Sequence, residues 1–586
     1  MSDSSAELAY LAGPNEPQLS EQTLGQKFAE ITTRFPARAA IKDAASQLSY
    51  KELDQCSDAL GLGLLDLGVS AGDRVAISLG NCIANAVISY ACFKVGAIVT
   101  PLNPAYTSVQ VVAALNHVSA KCYVLSSDII LPHREPKSAG ALLSTVLREA
   151  ERGDLVSLLV DNSTGAHHGH EFEVSARYEE LLSSYQGMRL PVENKIKNSD
   201  YATIQFTSGT TSSPKAACLT HRNVLNNGIF VGLGMELTEL DIVCCPPPLY
   251  HCFGLVLGII ATMAWGACII FPSEAFDAAA VVRSIRQDRP TALYGVPTMF
   301  LAELEHIAKY SLTAGDFEHL RTGVIGGSPI PASLRLALHD NLHLAGLTNC
   351  YGLTESSPII CQTASTDTQE QKLTTVGRMI PHTSARIVAW GDPTRTLRRG
   401  DKGELLISGY CVMGGYWRDE RRTSEALIVE ERKDGSKQVW LRSGDEALFQ
   451  PDGYIRITGR IKDIIIRGGE NIYPPEIENV LLQDSVISNA SVVGLPDPKY
   501  GEVVSAFVIL KDGFRGIESN NIQDTHTSRE LTVSKERIQS WVQERLPKML
   551  VPKYVFWIEQ MPLTASGKIE KYKLKELGIQ LLNAMD

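Results

Sequence analysis

Twelve cysteines occur among 586 residues, yet no two are spaced as Cys-x-x-Cys. Cys244 and Cys245 are adjacent in a Pro-rich turn and cannot chelate zinc as such a pair would. The expectation is therefore reduced, mostly buried thiols in an intracellular compartment. Blocks of Lys and Arg are also missing, and the net charge is -11, which argues against a nucleic-acid binder. The first residues, MSDSSAELAYLAGPNEPQ, offer neither a basic n-region nor an apolar h-region, so secretion is not expected. No lipidation signal is present, and Ala584-Met585-Asp586 is not a peroxisomal SKL-type tripeptide. The expected location is cytoplasmic or peroxisomal.

Charge is absent from one long stretch, Cys252 to Pro272, which is long enough to span a bilayer. Gly254, Gly258 and Gly266 interrupt it and no basic flank orients it, so a buried helix followed by a strand at Cys268 to Phe271 is expected, with no membrane span. Three close histidines, His167, His168 and His170, lack a carboxylate or cysteine at matching spacing, which favours a solvated loop over a metal site.

What is present is the balance of an ordinary globular protein, 44% apolar and 21% charged, too long for a single core. Residues 1–48 read as a lead-in with a short helix near Leu24 to Phe35. Ser49 and Glu52 form a capping-box pattern ahead of Leu53, Leu60, Leu64 and Leu67 at helical spacing. Strand and helix then alternate: Arg74 to Leu79, Cys82 to Val95, Ala97 to Pro101, Val109 to Val118, Lys121 to Leu125. Residues 130–195 are uneven and polar. The alternation resumes with helices at Val281 to Asp288 and Pro297 to Ile307, and strands at Ala292 to Tyr294 and Thr322 to Ile325. This predicts an α/β fold with parallel sheets layered by helices. Short strands with Gly turns between 373 and 458 predict a small β subdomain. From Arg460 onward the pattern changes, predicting a compact α+β C-terminal domain, with 512–533 as a loop. The expected division is 1–459 and 460–586.

Tyr201 to Phe206 reads as a buried strand that stops at Thr207-Ser208-Gly209-Thr210-Thr211-Ser212-Ser213-Pro214-Lys215. Those nine residues hold six hydroxyls, one glycine and one lysine, and no acid. Such a loop offers donors and a cation to a polyanion; taken alone it is equally a polar surface loop. It lacks the Gly-x4-Gly-Lys-Ser/Thr spacing, which disfavours an ordinary P-loop NTPase.

Eight motifs then fall in order: FTSGTTSSPK (206–215), PPLYHCFG (247–254), YGVPTMF (294–300), GGSPI (326–330), YGLTE (351–355), SGD (443–445), GRIKDIIIRGGENIYPPEIE (459–478) and TASGKIEK (564–571). In this order they resemble the adenylate-forming superfamily of acyl-CoA synthetases, peptide-synthetase adenylation domains and firefly luciferase, over about residues 25–575. The resemblance implies a large N-terminal domain and a small, mobile C-terminal cap domain hinged near Lys462. It implies ATP, CoA and Mg²⁺ as cofactors, with a small-molecule carboxylic acid as the third reactant. The loop 207–215 would embrace the β- and γ-phosphates, with Lys215 as a mobile cation, and Thr207 and Glu355 would help hold Mg²⁺. Asp445 would accept both ribose hydroxyls, Arg460 would contact the same sugar, and Tyr351 would face Gly327-Ser328-Pro329 across the adenine, beside Thr354. The bland alternative for Gly327-Ser328-Pro329 and Tyr351 is a Gly-rich turn beside a core tyrosine.

Lys568 would bridge carboxylate and α-phosphate in the first half-reaction. For the second, rotation of the cap would withdraw Lys568 and bring in Arg467-Gly468-Gly469-Glu470, whose glycines let a pantetheine arm pass. His251, Cys252, Phe253, Val296, Gly326 and Leu353 are the expected acyl lining. His251 either gates the acid, as a catalytic-site residue, or is a core histidine. The lining is small and apolar, which suits an aliphatic or hydroxylated aliphatic acid.

Ser212 and Ala216 stand where the family usually has glycine, which predicts a stiffer loop. The implied activity is an AMP-forming acid–thiol ligase, nearest to the medium-chain fatty acyl-CoA group through PLYHCFG, YGVPTMF and TVGRMIPHTSARIV. The rivals are a siderophore or other secondary-metabolite acid–CoA ligase, a luciferase-like oxygenase and a non-catalytic relative.

Overall fold

The computed structural model describes residues 8–132, 134–163, 173–191, 195–207, 215–432, 434–517, 531–564 and 568–584. Ser208, Gly209, Thr210, Thr211, Ser212, Ser213 and Pro214 of the hydroxyl-rich loop, and His167, His168 and His170, lie outside them.

Helix starts follow their caps. Ser49 closes a reciprocal box with Glu52 ahead of helix Tyr50–Asp66, and Thr23, Thr107 and Thr220 do the same for Leu24–Arg34, Ser108–Val118 and His221–Gly234. Each box satisfies two backbone donors that the helix itself cannot, typically worth about 1 kcal/mol.

Among the described residues the chain forms two large sheets of seven and nine strands, an antiparallel sheet of seven, and a C-terminal sheet of five. In the first, Arg74–Ser78, Ile98–Pro101, Cys122–Ser126 and Val156–Val160 run parallel, and the hairpin partners Tyr201–Thr207 and Lys215–Thr220 close one edge. Val156–Val160 is a strand inside the stretch expected to be uneven and polar. Five consecutive buried residues between polar flanks are the pattern of a strand covered on both faces.

The second sheet runs Ile242–Cys244, Ala292–Gly295, Thr322–Gly326 and Gly346–Gly352 side by side and parallel. The uncharged stretch becomes a π-helix, Phe253–Ile260, then helix Ala261–Trp265, a left-handed Gly266 (φ 73°) and strand Cys268–Ile270. All eight π-helix residues are buried. Among the described residues no helix is long and apolar enough to cross a membrane.

The antiparallel sheet, including Thr383–Ala389, Gly403–Gly409, Lys437–Phe449 and Ile455–Arg460, is the expected β subdomain. Past Arg460, one short turn, Ile461–Asp463, leads into the separate C-terminal sheet at Ile465–Arg467. Two features of this domain differ from expectation. Phe514–Ile517 and Leu531–Ser534 pair as short parallel strands within the stretch read as loop, and a last helix, Lys571–Asn583, follows Lys568. That helix buries Leu574 and Gly578 against Leu495 and Phe507.

Candidate active site

Parallel strands that are neighbours end along one edge, and open α/β sheets bind ligands at that carboxyl edge. Here the strand ends deliver Cys245-Pro246-Pro247, Val296, Gly327 and Leu353 to one place. Gly327 follows Thr322–Gly326 with φ 91°, a left-handed turn that a side chain would strain. A Cβ added there would stand 3.4 Å from Val296 Cγ1 and 3.7 Å from Lys568 Cε, so the lysine from the far end of the chain passes over this turn.

Lys568 N–H donates to Thr564 Oγ1 (3.0 Å), its carbonyl accepts from Thr564 N (2.7 Å), and Leu563 pairs with Ile569. Its ammonium is depressed below the usual lysine range, by burial first and then by Arg460, against the pull of Asp445, Glu355 and Cys252. Those causes are also an inventory of what surrounds it. The same cation, after burial, helps push His251 down to about 3, so that imidazole is neutral. Phe253 N–H donates to His251 Nδ1 (3.1 Å), which leaves the proton on Nε2. The His251 side chain is half-buried beside the proline turn at this edge.

Asp445 and Arg460 meet because strands Lys437–Phe449 and Ile455–Arg460 pair with those two residues opposite each other. Gly444, at φ 68°, sits in a register shift against Glu404 and Leu406, a bulge that re-aims Asp445. Tyr351 Oη donates to Asp445 Oδ2 at 2.5 Å. Arg460 Nε lies 3.0 Å from Asp445 Oδ1 without hydrogen-bond alignment, leaving that buried oxygen unpartnered. Burial raises the Asp445 carboxyl, while Arg460, Tyr351 and Lys568 oppose the rise. An open carboxylate oxygen beside a half-exposed guanidinium suits a neutral diol such as a ribose edge.

Lys215 opens strand Lys215–Thr220 directly opposite Thr207. Its ammonium lies 5.0 Å from the Tyr416 ring centre, and Tyr416 Oη donates to Glu355 Oε1 at 2.7 Å. Met413 N–H donates to the Glu355 carbonyl (2.9 Å), tying the turn Thr354–Ser356 to the Gly414-Gly415-Tyr416 segment. Thr354 also hydrogen-bonds the Cys252 thiol, which burial pushes up to about 12. Thr207 and Glu355 offer a hydroxyl and a carboxylate, the hard oxygen donors that Mg²⁺ takes alongside phosphate oxygens, so the residues fit that ion. Among the described residues no cluster of three or more His, Cys, Asp or Glu forms a closed metal cage.

The structure thus gathers Lys215, Thr207, His251, Gly327, Tyr351, Thr354, Glu355, Asp445, Arg460 and Lys568 around one edge; Ser328 and Pro329 continue the turn after Gly327. Gly468 and Gly469 (φ 60° and 90°) are exposed on a turn of the C-terminal sheet and stand outside this cluster. Lys462 is exposed in the connecting turn. Ala216 corrects an expectation: it is a buried strand residue paired with Phe206, its carbonyl accepting from Trp417 N, and no positive φ is required there.

Two residues were missed. Tyr416 lies in a Gly-Gly-Tyr-Trp run whose two glycines were the available signal. Asn81 donates to the carbonyls of Pro246 and Pro247 (3.3 and 3.0 Å) and accepts from Leu249 N (2.9 Å), holding the proline turn that presents His251. A buried asparagine in a loop has no sequence signature of that role.

The model of the AMP-binding enzyme family matches residues 28–417, and that of the AMP-binding enzyme C-terminal domain matches 476–568. The chain belongs to the AMP-binding enzyme family. Acyl-CoA ligase SID4 of Ajellomyces capsulatus is 39% identical, covering 98% of this chain and 94% of that protein. The medium-chain acyl-CoA ligase ACSF2, mitochondrial, of Mus musculus is 34% identical over 97% of this chain and 89% of its own. Among solved structures, an anthranilate CoA ligase, AuaEII, in complex with anthranoyl-AMP superposes with a TM-score of 0.79 at 20% identity, covering 95% of this chain and 97% of that one. That likeness is one of fold: a large N-terminal and a small C-terminal domain. In AMP-binding enzyme terms, the edge described above is where the two domains meet.

Proposed function

We propose that the protein is an ATP-dependent acyl-CoA ligase that joins a carboxylic acid to AMP and passes the acyl group to CoA. The observation that carries this is Lys568, contributed by the C-terminal domain yet lying over Gly327 among Asp445, Arg460, Glu355 and His251. Its placement supports the first half-reaction. A carboxylate oxygen attacks the α-phosphorus of ATP and pyrophosphate leaves. Lys568 offsets the two anions as they approach, and Lys215 with the hydroxyl-rich loop steadies the leaving group. Asp445 and Arg460 hold the ribose, while Tyr351 keeps Asp445 aimed. Bound by Thr207 and Glu355, Mg²⁺ would neutralise phosphate oxygens.

In the second half-reaction the CoA thiol adds to the acyl carbonyl and AMP departs. Rotation at Lys462, with 1–459 and 460–586 as the two bodies, would withdraw Lys568 and bring the Arg467-Gly468-Gly469-Glu470 turn to the thiol's path. The support is the single short turn joining two separate sheets. The acid we propose is medium-chain, branched or hydroxylated aliphatic, on the strength of the apolar lining from Cys252, Phe253 and Val296. A siderophore-type or other specialised acid is the second reading; the likeness to the acyl-CoA ligase SID4 and to the acyl-CoA ligase sidI of Aspergillus fumigatus supports the ligase chemistry common to both. Twelve unpaired cysteines support an intracellular, cytoplasmic or peroxisomal, location.

The test is a panel of acids graded in length and polarity, each with ATP, Mg²⁺ and CoA, read by the mass of the thioester and by AMP. Thioester from at least one aliphatic acid is expected. Pyrophosphate release without any thioester would point to an oxygenase-like relative, and no pyrophosphate at all would refute the reading.

A further inference from the structure

Tyr416 is buried, and hydrogen bonds to several segments fix the backbone around it. Along strand Lys215–Thr220, Trp417 N–H donates to the Ala216 carbonyl (2.8 Å), and Cys218 N–H donates to the Gly415 carbonyl (3.0 Å). Gly414 N–H returns a bond to the Cys218 carbonyl (3.0 Å), and Ala217 is bridged to Tyr416. On the other side, Tyr416 N–H donates to Thr423 Oγ1 (2.9 Å). A Cβ at Gly414 would stand 2.7 Å from Tyr201 Oη, and one at Gly415, where φ is 124°, 2.9 Å from Thr423 Cγ2. The two glycines thus permit the close backbone approach that sets Tyr416 beside Lys215.

The side chain meets two functional groups at once. Its ring centre lies 5.0 Å from the Lys215 ammonium, and its hydroxyl donates to Glu355 Oε1 at 2.7 Å. A carboxylate only accepts, so the phenol's one proton is committed to it. The turn that carries Glu355 is held as firmly. Met413 N–H donates to the Glu355 carbonyl (2.9 Å), and Ser357, just past the turn Thr354–Ser356, stands at φ 73° with its hydroxyl on the Cys411 carbonyl (2.6 Å). A left-handed backbone is costly for serine and persists where the surroundings impose it. With Oε1 engaged by Tyr416, the second Glu355 oxygen has no hydrogen bond among the described residues.

We propose that Tyr416 is a positioning residue for the metal-bound nucleotide: its hydroxyl fixes the Glu355 carboxylate so that the open oxygen is ready for Mg²⁺ arriving with ATP. The proposal rests on the acyl-CoA ligase reading above and adds the group that aims the metal ligand. Carboxylates that hold a metal are oriented by hydrogen-bond partners behind them, and loss of such a partner typically costs about tenfold to a hundredfold in metal affinity. A glutamate side chain is long and rotatable, so ordering it before the metal arrives removes that cost from binding. A phenylalanine at this position would fill the same space and keep a ring beside Lys215. What the hydroxyl adds is the bond to Glu355 alone.

The experiment uses the full chain with ATP and no acid, so that nothing turns over, and reads the Kd of ATP by calorimetry in excess Mg²⁺ and in EDTA. In the natural protein Mg²⁺ tightens ATP, and the ratio of the two constants measures the coupling between them. In Tyr416→Phe that ratio is expected to fall by about tenfold or more, while the Kd in EDTA stays within about twofold and so reports a folded site. Glu355→Gln lowers the ratio as well, and adding Tyr416→Phe to it costs little more, because the hydroxyl acts through the carboxylate. In acid-dependent ATP–pyrophosphate exchange, Tyr416→Phe raises the Mg²⁺ concentration that gives half the maximal rate and leaves the acid's KM unchanged. An unchanged ratio, equal weakening of ATP with and without Mg²⁺, or losses that simply add in the double variant overturns the assignment while leaving the ligase reading intact. So does a natural protein whose ATP binding ignores Mg²⁺. No pyrophosphate from any acid removes the ligase reading, and this proposal with it.

Discussion

Lys568 enters a pocket that already holds Arg460, and the two cations tolerate each other because Asp445 and Glu355 lie between them in charge. The cost appears as an ammonium that loses its proton more readily than the about 10.4 of a free lysine. His251, pushed down to about 3, is neutral across the working range and titrates nothing there. The consequence is a pH profile. If the Lys568 cation is what offsets the two anions, kcat/KM for acid-dependent ATP–pyrophosphate exchange falls as pH rises through its depressed value. That alkaline limb comes earlier than an ordinary lysine would give, and no limb near 6.5 arises from His251. A profile controlled by an acid limb near 6.5, or flat through pH 10, would contradict these assignments. Lys568 was legible in the chain only through Thr564–Lys571 as a motif, because a lysine between Gly567 and Ile569 near a C-terminus otherwise reads as surface. Asn81 was not legible, and Tyr416 was signalled only by the two glycines before it: their roles are hydrogen bonds to proline carbonyls and to Glu355, far away in sequence.

Elements were easiest to read where hydrophobic period and punctuation agreed. The capping box at Ser49, the strand–helix alternation from Arg74, and the glycine that ends helix Ala261–Trp265 all appear where expected. Val156–Val160 was hidden by polar neighbours whose sequence spacing says nothing about sheet order. The π-form of Phe253–Ile260 cannot be told from an α-helix by composition, since both bury an apolar run. The helix Lys571–Asn583 was overlooked because its charged residues mask the Leu574 and Gly578 face that packs on Leu495.

The bulge at Gly444 offers a clean test at this scale. A Cβ there meets nothing within 4 Å, so Gly444→Ala pays only for the left-handed backbone, about 1 kcal/mol. The expected outcome is a melting temperature lower by a few degrees and a raised KM for ATP, with the acid's KM little changed, because Asp445 is re-aimed by this residue. Lower stability with an unaltered KM for ATP would mean that the bulge does not position Asp445.

At the scale of the whole molecule, the chain places its chemistry where separate layers meet. Two sheets end at one edge, the antiparallel sheet adds Asp445 and Arg460, and the C-terminal domain adds Lys568 across a single turn at Ile461–Asp463. Gly468 and Gly469 wait, exposed, on the same small domain. The parts list and its order were readable from the eight motifs; that Lys568, and not Gly468 and Gly469, lies at this edge was not, because both motifs are encoded equally and only the packing chooses. The central claim is that Lys568 serves the first half-reaction alone. It is tested most directly by Lys568→Ala, measured for acid-dependent ATP–pyrophosphate exchange and, separately, for thioester formation from supplied acyl-AMP and CoA. The account predicts exchange lowered by about a hundredfold or more, as for loss of a pre-placed charge, with thioester formation kept within a few-fold. Equal loss of both steps would contradict it.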